Sequence, residues 1–200
     1  MSTLCGKVAN SILLSCDNPL VPGLANNIYV FNMADIAFTF DATNPQLVNA
    51  ISLAAGVYGY IFQSINNNVS ALQKGTQTPA GPRFDHEIDF DVLAYSSAVN
   101  EQILQIMTSR VCIIVENLYR SGGATDSTFN IYGGQYGLIC ADAERKADDE
   151  TSSGAWKLKF KNAPKTKQST PVWTFYNTSY SATLAAILAQ IKIADGGTKA

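Results

Sequence analysis

Runs of β-branched and aromatic residues, separated by turn residues, recur along most of the chain. A spacing of two between apolar positions predicts a half-buried strand, and an unbroken apolar run predicts a strand buried on both faces. We therefore predict strands at residues 28–31, 36–40, 47–65 (one long strand or two short ones), 84–95, 111–115, 129–132, 136–141, 156–161 and 172–176.

Two segments have helical spacing instead. Val99, Ile103, Ile106 and Met107 fall on one helical face behind two serines that can act as N-caps, which predicts a short helix over residues 97–109. An alanine-rich segment predicts a second helix, which with its tail occupies residues 180–200. The predicted fold class is therefore α+β and mainly antiparallel β, a β-sandwich or partial barrel.

We treat residues 1–200 as a single domain with a turn-rich N-terminal extension at residues 1–27. Residues 66–83 hold three asparagines, two glycines and two prolines and predict a long loop, a type that usually binds something. A Gly-Gly-Gln sequence at residues 133–135 predicts a hairpin between its two flanking strands. Gly56 and Gly59 are expected at a bulge or at a close approach to other groups.

Composition narrows the possible functions. Charged residues make up 15% of the chain and the net charge is −2, while Ser, Thr and Asn number 16, 15 and 15. Nothing in this balance favours a basic nucleic-acid-binding surface, and the 46% hydrophobic content is enough for a packed core. The longest uncharged run, residues 42–73, is broken by polar residues, so we predict no membrane segment.

Catalytic and metal chemistry have little support in the sequence. The four cysteines form no CxxC pair, and Cys112 and Cys140 lie in apolar runs that predict buried free thiols. The single histidine, His86, alternates with acidic residues and is expected to point with its apolar neighbours. Neither a nucleophile elbow nor a complete P-loop is present. We predict a protein that is not an enzyme, with no catalytic residue, metal site or cofactor.

One strand carries a row of acidic side chains. Asp85, Glu87, Asp89 and Asp91 share one face at steps of about 7 Å, and like charges at that spacing repel. A straight row does not converge on a cation, so a metal site is a poor fit. The other readings are an ordinary solvated face, an acidic lumen that does not hold a passing polyanion, or a ladder with a complementary lysine row at Lys157, Lys159 and Lys161.

A resemblance bears on these alternatives. The order of a strand pair with a long loop, a short helix, an apolar strand and further strands, together with the segment FDHEIDFDVLAYSSAVNEQILQIMTSRVCIIVEN, resembles bacteriophage tail tube proteins. The resemblance covers roughly residues 28–176 and includes no diagnostic motif. It implies a non-enzymatic virion subunit, assembled in the bacterial cytoplasm, that forms stacked hexameric rings around a channel through which DNA passes without specific binding.

The resemblance also assigns parts of the chain. It implies that residues 47–65 and 84–95 form the ring-building hairpin and that the acidic row lines the lumen. The loop would contact the next ring, and its candidate contact residues are Asn66, Asn67, Asn68, Lys74 and Arg83. Contacts to other virion proteins are implied as well. The extension at 1–27 and the helical C-terminus depart from the family pattern and leave open a capsid-associated, connector or baseplate protein.

A binding module for host glycans is the competing interpretation. The chain holds 9 Tyr, 9 Phe and 2 Trp, and carbohydrate-binding surfaces use exposed aromatic rings. This interpretation predicts a compact exposed aromatic cluster.

Overall fold

The computed structural model describes residues 23–64, 68–93, 96–118, 128–148 and 154–192. Its strands are β1 (Leu24–Asn32), β2 (Ile36–Phe40), β3 (Leu47–Leu53), β4 (Tyr60–Gln63), β5 (Val69–Thr78), β6 (Gly81–Val92), β7 (Arg110–Asn117), β8 (Phe129–Tyr132), β9 (Leu138–Arg145), β10 (Trp156–Asn162) and β11 (Trp173–Phe175). The helices are α1 (Ser97–Thr108) and α2 (Tyr180–Leu188). The predicted fold class, α+β and mainly antiparallel, is confirmed.

The centre of the fold is β7, which is buried along nearly its whole length. Strand β1 pairs with one edge of β7, and β8 and β9 follow one another along the other edge. Because β7 is apolar on both faces, other strands or helices must pack against each face to exclude water. The prediction of a central apolar strand here is confirmed.

Two wings extend from this centre and fold over its opposite faces. The first wing continues from β9 through β10 and β6 to β5, and it encloses one core together with α1. The second wing continues from β8 through β11 and β3 to β2, and it encloses another core with α2. Neighbouring residues of β7 divide between the cores, since Ile113 belongs to the first and Ile114 to the second. Because side chains alternate along β7, the same strand contributes residues to both cores.

The helix α1 matches its predicted position. Ser96 is the N-cap, and its hydroxyl accepts a hydrogen bond from the Val99 N–H at 3.2 Å. Ile103 and Ile106 are buried, whereas Met107 is 47% exposed and the prediction that it faces the core is wrong. The second helix ends at Leu188, and residues 193–200 lie outside the described part.

The predicted long loop at residues 66–83 is wrong. Most of it is the ten-residue strand β5 and the two-residue turn that leads into β6. All ten residues of β5 pair with β6, from Val69 opposite Phe90 to Thr78 opposite Gly81. Beyond its first three residues β5 is almost entirely exposed, so backbone pairing with β6 and not burial holds it in place.

The predicted hairpin across residues 133–135 is also wrong. The strands β8 and β9 do not pair with each other; both run antiparallel to β7 on the same edge. The chain between them is a short excursion in which the Gly137 N–H donates to the Gly133 carbonyl at 2.7 Å. Both glycines have positive φ, 71° and 74°, a conformation that side chains disfavour. The two strands predicted to form the hairpin therefore lie one after the other along the same edge of β7, separated by a glycine turn.

Two further boundaries differ from the sequence-based expectations. The segment 47–65 does divide into two strands, but β3 pairs with β2 and β11, and β4 pairs with β1. The implied hairpin of 47–65 with 84–95 is therefore wrong, and the strand that forms a hairpin with β6 is β5. The predicted extension at 1–27 gives way to β1 at Leu24, and residues 1–22 lie outside the described part.

Candidate functional site: the charged face of the first wing

The acidic row and the lysine row lie on neighbouring strands. In the antiparallel pairing of β6 with β10, Lys159 stands opposite Asp89, Lys157 opposite Asp91 and Lys161 opposite Glu87. The Lys159 ammonium contacts the Glu87 carboxylate and lies 3.6 Å from Oδ2 of Asp89. This is the geometry that a charge ladder requires, because directly opposed and diagonal side chains on one face are within reach of each other.

The flanking strands extend the alternation of charge. On β5, Lys74 stands directly opposite Asp85, and Lys167 donates to Oδ2 of Asp85 at 2.8 Å. On β9, Asp142 stands opposite Lys159 and Glu144 opposite Lys157. The face therefore changes sign from strand to strand. Its six carboxylates and five lysines are Asp85, Glu87, Asp89, Asp91, Asp142, Glu144, Lys74, Lys157, Lys159, Lys161 and Lys167.

The members of the acidic row have different environments. Asp91 is only 8% exposed and accepts a short hydrogen bond from the side-chain amide of Asn68. Burial raises the pKa of Asp89 against the opposing effect of Lys159, and Oδ1 of Asp89 has no hydrogen-bond partner. Hydrogen bonding to Glu87 and the charge of Asp89 raise the pKa of Lys159. Asp91 is thus part of the packing at the β5–β6 end, while Glu87 and Asp89 share one lysine.

His86 occupies the opposite face of the same strand. It is 2% exposed, its Nδ1 accepts a hydrogen bond from the Gly133 N–H at 3.2 Å, and its ring meets Tyr132 edge to face. Burial lowers the pKa of His86 to about 4, with Asp85 opposing the shift. The alternation along the strand predicted that His86 points with its apolar neighbours, and this is confirmed, since the neutral imidazole lies in the core.

Metal-binding geometry is not found in the part of the chain that the structure describes. No three His, Cys, Asp or Glu side chains there lie together as ion ligands. The described cysteines, Cys112 and Cys140, are free and buried, which confirms the prediction for them. No helix of the described residues is long and apolar enough to cross a bilayer.

The candidate loop-contact residues are distributed along the β5–β6 hairpin. Asn68 precedes β5, Lys74 lies within β5, and Arg83 lies near the start of β6, while Asn66 and Asn67 are outside the described residues. The outer edge of β5 pairs with no other strand of the described chain. Beside that edge Leu72 is 52% exposed. The segment predicted to make contacts is therefore an extended strand whose outer edge is unpaired among the described residues, and we call this the free edge of β5.

One group of aromatic residues near the surface of the described structure packs against itself. The rings of Phe38 and Phe40 meet the indole of Trp173 edge to face at centroid distances of 5.3 and 4.8 Å. Gly134 also lies against this indole, since an added Cβ there would come within 2.4 Å of it. Carbohydrate stacking needs an open ring face, and this arrangement uses the indole for packing.

Sequence reasoning missed one feature of the surface near the hairpin. Arg83, Lys165 and Lys167 line a common cavity, although Arg83 is far from the two lysines in sequence. The signal available in the sequence was the pair of lysines in residues 164–169, a segment that resembles any exposed turn when considered alone.

Comparison with known proteins adds nothing to this geometry: no family model, no curated protein and no solved structure matches the chain.

Proposed function

We propose that this protein is a non-enzymatic structural subunit of a phage virion and that it assembles with copies of itself into stacked rings, as a tail tube protein does. The observation that carries the proposal is the free edge of β5 on the β5–β6 hairpin. The virion context and the sixfold ring come from the resemblance described above. DNA would pass along the channel without specific binding, and other virion proteins would close the assembly.

The β5 edge has little of the protection that natural proteins give to free edges. Such edges are usually short, bulged, proline-containing or rich in lysine. Strand β5 is ten residues long, pairs with β6 in an unbroken register, contains no proline and carries a single charged residue, Lys74. An edge of this kind is a template for a strand from another chain. A subunit built to pair with its neighbours accounts for its length.

The charged face next to this edge suits a subunit contact or a lumen wall. Because the rows alternate in sign, a second subunit that packs on this face would meet opposite charges in one register only. A shift of that subunit by one strand would bring like charges together. Each exposed ion pair adds little stability. The carboxylates and lysines nearly balance, with a small acidic excess, so the face does not attract the phosphates of DNA strongly.

The experiment compares two leucine substitutions of equal chemistry. Leu72 on β5 and Leu104 on α1 are 52% and 65% exposed, so neither Leu72→Lys nor Leu104→Lys removes core packing. We expect the unmodified protein to form rings or tubes in negative-stain images and to sediment as an oligomer. Leu72→Lys should reduce assembly at least tenfold at equal concentration, while Leu104→Lys should assemble normally.

Four outcomes contradict the proposal in distinguishable ways. A monomer under all conditions of salt and concentration rules out the self-assembling subunit. Assembly that is lost in Leu104→Lys but kept in Leu72→Lys moves the contact from β5 to α1. Fivefold shells identify a capsid component, and isolated single rings identify a connector, in place of a tube.

A further inference from the structure

A cavity lies where the β5–β6 hairpin meets the segment that follows β10. Its volume is about 470 Å³, within the range of small-ligand sites. The basic residues that line it are Arg83 from β6 and Lys165 and Lys167 from the following segment. The remaining lining residues are Thr78, Tyr136, Thr166 and Ser169. Three cations in one cavity are unusual for a chain of which 15% is charged and whose net charge is −2.

The positive charge of this cavity is only partly compensated. Lys167 pairs with Asp85, which is the only carboxylate of the described residues found in contact with the three cations. The guanidinium of Arg83 donates to the Pro82 carbonyl at 3.0 Å, a neutral acceptor, and keeps most of its N–H groups available. Lys165 is exposed and has no ion-pair partner in the described chain. Two positive charges therefore remain.

Three of the four hydroxyl groups around the cations are already used as donors. Thr78 donates to the Gly81 carbonyl at 2.6 Å, Thr166 to the Pro164 carbonyl at 3.3 Å, and Ser169 to Oε1 of Gln135 at 2.8 Å. The oxygens of these three hydroxyls can still accept hydrogen bonds, but the donors that remain around the cavity are mainly the cationic N–H groups. An anion needs only the three cationic side chains, so the chemistry of the cavity selects negative charge.

The lysine segment is held in a fixed and strained conformation. Lys165 has φ = 63°, in the left-handed region that non-glycine residues adopt at a cost of about 1 kcal/mol. Backbone hydrogen bonds of 2.8 and 3.0 Å tie Gln168 to Phe84 on β6, and the Gln168 side chain accepts from the N–H groups of Gln135 and Tyr136. Strain of this kind persists where the surroundings enforce it, and it is concentrated at binding sites.

We propose that Arg83, Lys165 and Lys167 form a binding site for a phosphoryl oxyanion, either free phosphate or the phosphate of a nucleotide chain. A phosphate presents three or four acceptor oxygens to cations arriving from different directions, and arginine can bind two of them at once. A single carboxylate has only two oxygens, both of which one guanidinium can occupy. The site lies at the Thr78 end of the β5–β6 hairpin, and its three cations come from a single subunit, so binding does not require assembly.

The test measures binding to the full-length protein in a phosphate-free buffer by calorimetry and by chemical-shift titration. The ligands are inorganic phosphate, acetate, and a short single-stranded DNA without a terminal phosphate. We expect saturable phosphate binding that weakens at least tenfold in Arg83→Gln and in Lys165→Gln and is retained in Lys165→Arg. Lys192→Gln removes an exposed lysine that does not line the cavity and should bind as the unmodified protein does.

The DNA arm separates the two sources of the same chemistry. Binding of inorganic phosphate alone identifies a free-phosphate site, and binding of the DNA with the same dependence on Lys165 identifies a phosphodiester contact. The proposal is overturned if neither inorganic phosphate nor the DNA shows saturable binding. It is also overturned if Lys192→Gln weakens binding as much as Lys165→Gln, or if acetate binds and phosphate does not. Circular dichroism of each variant excludes loss of fold as the cause.

Discussion

The buried imidazole of His86 should make the stability of this protein depend on pH in a defined window. Burial lowers the pKa of His86 from its usual 6.5 to about 4. Between these values the unfolded chain binds a proton that the folded protein does not, so stability falls as the pH is lowered through the window and is fully present above pH 6.5. At about 1.4 kcal/mol for each pH unit, the loss reaches about 3 kcal/mol near pH 4.

The assay uses the fact that His86 is the only histidine. Urea denaturation from pH 4 to pH 8 on the unmodified protein and on His86→Gln gives two stability curves, and their difference removes the carboxylate contributions common to both. Glutamine is neutral throughout and can accept the hydrogen bond that the Gly133 N–H now donates to Nδ1. We expect the difference in the free energy of unfolding to change by about 1.4 kcal/mol per pH unit between pH 4.5 and 6, which is the slope for one proton. Parallel curves, or a single imidazole NMR resonance that titrates above pH 6 in the folded protein, would refute the reasoning.

Two further predictions concern buried groups. Gly59→Ala should lower the free energy of unfolding by about 1–3 kcal/mol, because the new Cβ would lie 2.3 Å from Cε1 of the fully buried Phe31 ring; an unchanged urea midpoint would contradict the close approach. Once the two N-terminal cysteines are replaced by serine, the folded protein should not react with a thiol reagent, since burial raises the pKa of Cys112 strongly and that of Cys140 to about 11. Both thiols should react in urea, and labelling of the folded protein at neutral pH would argue against this burial.

The elements that sequence patterns predicted well are those whose burial leaves a local period. Strand β6 alternates acidic and apolar residues, β10 alternates lysine and apolar residues, and α1 has a serine N-cap and buried Ile103 and Ile106. In each case the side chains that the core requires recur every two residues or at helical spacing. The period therefore reports which face is buried without any knowledge of the partner.

The strand β5 lacks such a period. Its polar residues, glycine and following proline are typical of a loop, and most of its side chains face solvent. What makes it a strand is the row of backbone hydrogen bonds to β6, which its own side chains do not specify. The apparent hairpin at 133–135 failed for a related reason, since a strand interrupted by a glycine turn has the same local pattern as two strands joined by one.

The sequence alone determined that this protein is a mainly antiparallel α+β domain, that β6 and β10 carry opposite charge rows, and that His86 points inward, because each of these follows from the alternation along a single segment. Only the tertiary structure decided that the two rows are neighbours in register, that β5 lies at the edge of the described sheet, and that Arg83 meets Lys165 and Lys167 in one cavity. These are relations between segments far apart in the chain. They depend on which backbone pairs with which, and a local pattern of hydrophobic and polar residues is the same for many possible partners.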